Sequence, residues 1–262
     1  MNIPLLPVAL TLLFLFTTLL GRRQGAPVMH GGPLSNSSQT PNQNSFKLGV
    51  YNIHRGRGTN GQKDLQRIAG VIKDVDVVGL CECEGASILG KPNQCEQLGA
   101  LLDTATLFGP TQKRFGRYDR GNGLLSRLSV SRWYQEPLVD STGTHPRCIL
   151  RADLVTEAGE IPVFVTHLAR RIDQREQLKT VIDRFQQYDR AILVGDFNMV
   201  KESRPLAEFL EQRGCCDAIA IGRGDYAKRI DWIFTRGVEI IDRGYHPKGP
   251  SDHPFYWIEV KV

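Results

Sequence analysis

From Phe46 to the C-terminus the chain alternates short apolar runs with segments of helical periodicity, and Gly, Asn, Asp or Pro closes each run. FKLGVYNI (46–53) predicts a strand, and Leu65, Ile68, Ala69 and Ile72 then recur at helical spacing through DLQRIAGVIKD. DVVGLC (76–81) predicts a second strand, and Leu98, Leu101 and Leu102 a helix ahead of the apolar ATLFG. NGLLS, SVSRWY, RCILRADLV and IPVFVTHL read as successive strands. Leu178, Val181, Ile182 and Phe185 mark a helix, AILVGDF (191–197) a strand, and RPLAEFLEQRG a short helix with Gly214 as its stop. RIDWIF and VEIIDRGY flank TRG as a hairpin, and HPFYWIEVKV closes the chain as a strand. Hairpins mixed with strand-helix-strand units predict an α/β fold of two mixed sheets packed together, not one doubly wound parallel sheet. No short fixed repeat interrupts this pattern.

The first twenty residues break it. Ile3 to Leu20 carries no charge over a length sufficient to cross a bilayer core or to serve as a signal-peptide apolar region. No Lys or Arg precedes it and LLGRRQGAP is a poor cleavage site, which favours an uncleaved single-pass anchor over a cleaved segment and a secreted chain. Arg22 and Arg23 argue for a cytoplasmic C-terminal side, although the side of the membrane stays open at this point. A buried core helix is disfavoured, because Gly21 to Ser45 is rich in Gly, Pro, Ser and Asn. The expected organisation is an anchor or signal segment (1–21), a flexible linker (22–45) and a catalytic domain (46–262).

Charge adds little. The formal net charge is +5, and without Arg22 and Arg23 there remain 31 basic against 28 acidic side chains. That balance neither demands nucleic acid nor excludes an anionic substrate. The cysteines, Cys81, Cys83, Cys95, Cys148, Cys215 and Cys216, lack paired zinc-knuckle spacing. A Cys83 to Cys95 bridge is conceivable in an oxidising compartment.

The polar residues that end the strands carry the chemistry. Asn52 follows GVY, Glu82 follows VVGLC, His167 follows VFVT, and Asp196 and Asn198 follow ILVG. Asp231 lies in RIDWIF, and Ser251, Asp252 and His253 precede the last strand. A single strand-end Asp or His is usually a turn former or a satisfied surface group. The set is different: acids, amides and two imidazoles, with no GxSxG elbow and no GxxxxGK[ST] loop. Glu82, Asn52 and Asp252 offer hard oxygen donors that suit Mg2+ or Mn2+. A hard cation beside two histidines is what hydrolysis of a phosphate ester needs.

YNIH, DVVGLCE, VTHL, VGDFN, RIDWIF and SDHPF, in that order, resemble the motif series of the endonuclease/exonuclease/phosphatase superfamily. The resemblance spans nearly all of 46–262 and implies a four-layered α/β sandwich with the site at one end of the paired sheets. It implies Glu82 as principal metal ligand, Asn52 as ligand or orienter, and Asp252 as a ligand at a second position. Asp196 would orient or deprotonate water, and Asn198 would donate to the scissile phosphate. His253, paired with Asp231, would stabilise or protonate the phosphate, and His167 would contact it. Asn122 and Arg147 are candidate substrate contacts. Cys81 stands where the family usually has Gln. The implied partner is a phosphate-ester substrate, either nucleic acid or a phospholipid or inositol phosphate, handled by a monomer with no protein partner evident. An inactive binding domain would have lost some of these side chains, and none is missing. KRFGRYDR (113–120), with aromatics among cations, would suit a nucleic-acid backbone or an anionic lipid surface.

Overall fold

The computed structural model describes residues 10–13, 15, 23–35, 45–87, 90–114, 120–211, 216–219 and 228–261. Gly214 and most of KRFGRYDR lie outside the described residues.

Two βαβ units lie at the centre. Strand β3 (Ser45–Asn52) runs parallel to β4 (Val77–Glu84), and helix α1 (Leu65–Ile72) makes the crossover. Strand β9 (Gly159–His167) runs parallel to β10 (Ala191–Asp196), the latter reached through helix α3 (Gln174–Phe185). The helices begin where their sequences cap them. Asp64 accepts from the backbone N–H groups of Gln66 and Arg67, and Asn93 and Glu96 form a reciprocal capping box at the start of α2 (Gln94–Leu102).

Antiparallel strands extend each pair. The first sheet has the order β1 (Arg23–Gln24), β5 (Ala105–Arg114), β6 (Arg120–Ser126), β4, β3, β14 (Phe255–Lys261), β13 (Glu239–His246). The second has β11 (Cys216–Asp217), β12 (Asp231–Arg236), β10, β9, β8 (Cys148–Thr156), β7 (Val130–Pro137), β2 (Met29–Gly31). Val50, Val77, Leu124, Val165, Val194 and Ile258 belong to the core between the sheets. Helices α1 and α2 cover the outer face of the first sheet through Ile68, Ile72 and Leu98. Leu178, Val181 and Phe185 of α3, with Leu206 and Phe209 of α4 (Arg204–Leu210), cover the second. The result is the four-layered α/β sandwich that the resemblance implied.

This topology decides where the site forms. The C-terminal ends of the parallel strands β3, β4, β9 and β10 present Asn52, Glu82, His167 and Asp196. The antiparallel neighbour β12 begins there too, with Asp231 in register with Asp196. Because β14 runs antiparallel to β3, the loop that precedes it brings Asp252 and His253 to the same end.

The GDFN glycine earns its place through close packing. A Cβ on Gly195 would stand 1.9 Å from the Thr166 carbonyl oxygen on β9. Gly195→Ala is therefore expected to lower the unfolding free energy by about 3 kcal/mol, from overpacking between paired strands. Urea unfolding checks this, and an unchanged midpoint would show that the strands can part without cost.

Two expectations are corrected. RIDWIF and VEIIDRGY do not pair: β12 belongs to the second sheet and β13 to the first, so the turn at Gly237 (φ 61°) carries the chain across the sandwich. β12 pairs instead with β10 and β11, and β13 with β14. The N-terminal membrane anchor is not supported. No helix among the described residues is long and apolar enough to cross a membrane.

Strand β4 also departs from simple alternation. Period two would put Cys81 and Cys83 together, on the face opposite Glu82. Instead Glu82 takes φ 58°, and the pairing of β4 with β6 shifts register between Leu80 and Cys83. Cys81 therefore faces the other sheet, its Sγ 3.3 Å from the Thr166 carbonyl oxygen, while Cys83 packs under the helices with Cys95. Both Cys83 and Cys95 are free thiols.

Part of the Gly/Pro-rich segment is tied down: β1 pairs with β5, β2 pairs with β7, and Leu34 bridges Val130.

Candidate active site

Asp196 is the hub. Its Oδ2 accepts from Asn52 Nδ2 at 3.0 Å and lies 3.4 Å from His167 Nε2 and 3.9 Å from His253 Nε2, and its Oδ1 accepts from the Asn198 backbone at 2.9 Å. Asn52 Nδ2 also reaches Glu82 Oε1 at 3.4 Å, so one buried amide links the acids ending β4 and β10. His253 Nδ1 stands 2.7 Å from Asp231 Oδ2. That contact leaves Nε2 of the imidazole directed toward Asp196. Ser251 fixes the loop: its hydroxyl donates to the Asn52 carbonyl oxygen at 2.7 Å. The ligand atoms of Asp196, Asp231 and His253 lie within 4.8 Å of one another and could hold a metal ion. They form a second oxygen- and nitrogen-bearing cluster beside Glu82.

Burial sets these groups at unusual protonation points. Removal from water, then the nearby Asp231 charge, raises the Asp196 carboxyl to about 7, against the opposing effects of His253, Asn198 and Asn52. Burial alone would lower His253, but its hydrogen bond to Asp231 and the surrounding acids push it up to about 9. His167 goes the other way. Burial, then the positive charges of Arg147 and His253, hold it well below its ordinary value, so it is neutral. A carboxyl raised and an imidazole raised further, side by side, make a base and an acid available at the same pH.

The structure brings Asn52, Glu82, His167, Asp196, Asn198, Asp231, Asp252 and His253 to one end of the sandwich, as their positions on the strands require. Their roles are less uniform than their placement. Asn198 takes φ 52°, donates from Nδ2 to the Leu168 carbonyl oxygen at 2.9 Å, and places the same nitrogen 3.1 Å from His167 Nε2. Both amide hydrogens are thus engaged, and the residue orients His167. Asn122 donates to the Cys148 carbonyl oxygen at 3.2 Å. Asn122 and Arg147 line a cavity of about 730 Å3 whose near wall is Glu82 and His167. Arg170 and Arg171 form part of its rim. Burial lowers the Arg147 pKa, opposed by Asp196 and Glu82, but a guanidinium keeps its charge in proteins.

Two supporting residues escaped the sequence reading. Ser251 stands in SDH itself, so its position was a signal without a role. Gln177, a buried amide on α3, donates to the Val139 carbonyl oxygen at 2.7 Å and accepts from Ala169 N at 2.8 Å, tying together two loops that border the cavity. Nothing in the local pattern distinguishes it from a surface helix glutamine.

The two-sheet sandwich, with these side chains gathered at one end, has the architecture of a phosphoesterase fold. The profile of the endonuclease/exonuclease/phosphatase family matches residues 49–253, and the chain belongs to that family. Among solved structures it resembles an endonuclease/exonuclease/phosphatase from Beutenbergia cavernae at 21% identity and TM-score 0.71, covering 83% of this chain and 72% of that one. It also resembles D. rerio TDP2 humanized by 14 mutations, at 17% identity and TM-score 0.64, covering 84% and 100%. A mannosyl-6-phosphatase from Bacteroides thetaiotaomicron aligns at 17% identity and TM-score 0.60, covering 83% and 100%. At these identities the likeness is one of fold. No curated protein matches in sequence.

Proposed function

We propose that the chain hydrolyses phosphate esters of the phosphodiester type with a water activated at Asp196, in a Mg2+- or Mn2+-dependent reaction. The observation that carries this reading is the Asp196, His253 and Asp231 array, in which a carboxyl raised to about 7 faces an imidazole raised to about 9. Asp196 in its ionised form takes the proton of the attacking water. His253, held in one orientation by Asp231, gives its Nε2 proton to the phosphate or to the departing oxygen. Neutral His167, oriented by Asn198, and cationic Arg147 line the path of the phosphate.

The donor set fits a hard divalent ion. Glu82, Asn52 and Asp252 offer oxygens, and the Cys81 thiol is turned away toward the Thr166 carbonyl. When bound by these residues, the ion supplies charge neutralisation at the phosphate. The cavity of about 730 Å3 has the size of a small-molecule site, which favours a leaving group of nucleotide or sugar-phosphate dimensions.

The purified full chain is expected to cleave bis-p-nitrophenyl phosphate with Mg2+ or Mn2+ and to lose turnover on chelation. Glu82→Gln is expected to weaken metal affinity at least tenfold, read by calorimetric titration. Metal-independent turnover would overturn the proposal. A panel of DNA, RNA, inositol phosphates and sugar phosphates then assigns the substrate.

A further inference from the structure

The turn after β3 carries unfavourable backbone. His54 and Arg55 are consecutive non-glycine residues at φ 44° and 61°, within a single 3-10 turn spanning His54–Gly56. Side chains with a Cβ disfavour this left-handed region, and such residues persist where surrounding contacts over-determine them. Here the contacts are visible. Asn52 Oδ1 accepts from His54 N at 3.0 Å, and Gln94 Nε2 donates to the Arg55 carbonyl oxygen at 2.9 Å. Gln94 is itself anchored, its Oε1 accepting from Glu84 N at 3.0 Å.

The consequence is to aim two side chains at the acids of the site. Arg55 Nε lies 4.0 Å from Glu82 Oε2, and His54 Nδ1 lies 3.3 Å from Asp252 Oδ1. Arg55 Nη2 is 3.0 Å from His54 Nε2. A guanidinium only donates, so His54 Nε2 accepts and the imidazole proton sits on Nδ1, toward Asp252. This chain of contacts fixes the guanidinium. Yet Arg55 Nε is buried without a hydrogen-bond partner, and so is the Nε of Arg147, which interacts electrostatically with Asp196 and Glu82. Buried unpaired donors are costly, and two guanidinium groups near one carboxylate are best completed by an anion.

We propose that Arg55 is a further catalytic residue, which donates with Arg147 to the non-bridging oxygens of the substrate phosphate. The inference rests on the phosphoesterase reading above. Two variants of the full chain test it, Arg55→Gln and Arg55→Gly. Glycine adopts φ near 60° freely, so Arg55→Gly keeps or raises the thermal midpoint, and loss of activity in it is not loss of fold. Both variants are expected to lower kcat/KM on bis-p-nitrophenyl phosphate at least tenfold. Both should weaken inorganic phosphate binding, measured by calorimetry, at least tenfold. Mn2+ affinity should hold or tighten, because a like charge has left the side of Glu82. Unchanged phosphate binding with falling Mn2+ affinity would make Arg55 a mere support for Glu82 and overturn the proposal, as would wild-type kcat/KM in either variant. Absence of metal-dependent turnover in the parent chain would instead sink the phosphoesterase reading, and the phosphate titration would still decide Arg55.

Discussion

Asp196→Asn lowers kcat by about 10²–10⁴, the range for loss of a positioned general base, while the folded chain becomes more stable at alkaline pH. Asparagine keeps the size of the side chain and an acceptor for Asn198 N, but cannot take a proton from water. The stability gain follows from the sign of the pKa shift. Folding raises the Asp196 carboxyl from 3.8 to about 7, so the folded chain binds more protons than the unfolded chain between those values. Stability therefore falls as pH rises from about 4 to about 7 through this group, and the full cost is present above 7. Asp196→Asn removes that slope. Thermal melts at pH 5 and pH 8 should show the parent losing stability across the interval more steeply than the variant, alongside the kinetic loss. An equally steep fall in the variant would place the titration on another group. A substitution that stabilises while it inactivates is the expected mark of a side chain held for chemistry.

His253→Ala is expected to cost a similar factor of about 10²–10⁴ in kcat/KM and to change the pH profile in shape. With Asp196 active above about 7 and His253 protonated below about 9, the parent profile is a bell centred near pH 8. His253→Ala deletes the alkaline limb and leaves the acidic one. Asp231→Asn keeps the imidazole but removes the charge that raises it, so the alkaline limb moves to lower pH. The stability contribution of His253 runs in the same direction with pH as that of Asp196, in a higher window. Its folded pKa lies above the ordinary 6.5, so its contribution is complete below that value and is lost as pH rises through about 9. A parent profile without an alkaline limb would remove His253 from the role of acid.

The strands and helices from residue 46 onward were legible because each follows its own periodicity and ends at its own cap or turn. The site residues were legible for a related reason: a polar group at the end of an apolar strand must sit at the rim of the sheet. Glu82 shows the limit of that logic. Its place as the acid of β4 could be read, but its φ of 58° and the opposite fates of Cys81 and Cys83 depend on pairing with β6, which leaves no local trace. The same holds for RIDWIF and VEIIDRGY, where adjacency predicts a hairpin and long-range pairing separates the strands. It holds again for His54 and Arg55, whose backbone is held by Asn52 and by Gln94 from a distant helix.

What the sequence determined by itself is the list of chemical groups, their order, and their position at strand ends, because hydrophobic periodicity is a local property. What only the tertiary structure decided is which groups meet. The Asp196 carboxyl is raised to about 7 by burial and by a register that sets Asp231 opposite it, and His253 is raised to about 9 because the loop before β14 brings it against Asp231 at the start of β12. Charge interactions depend on distance and desolvation, and both are fixed only when the two sheets close on each other.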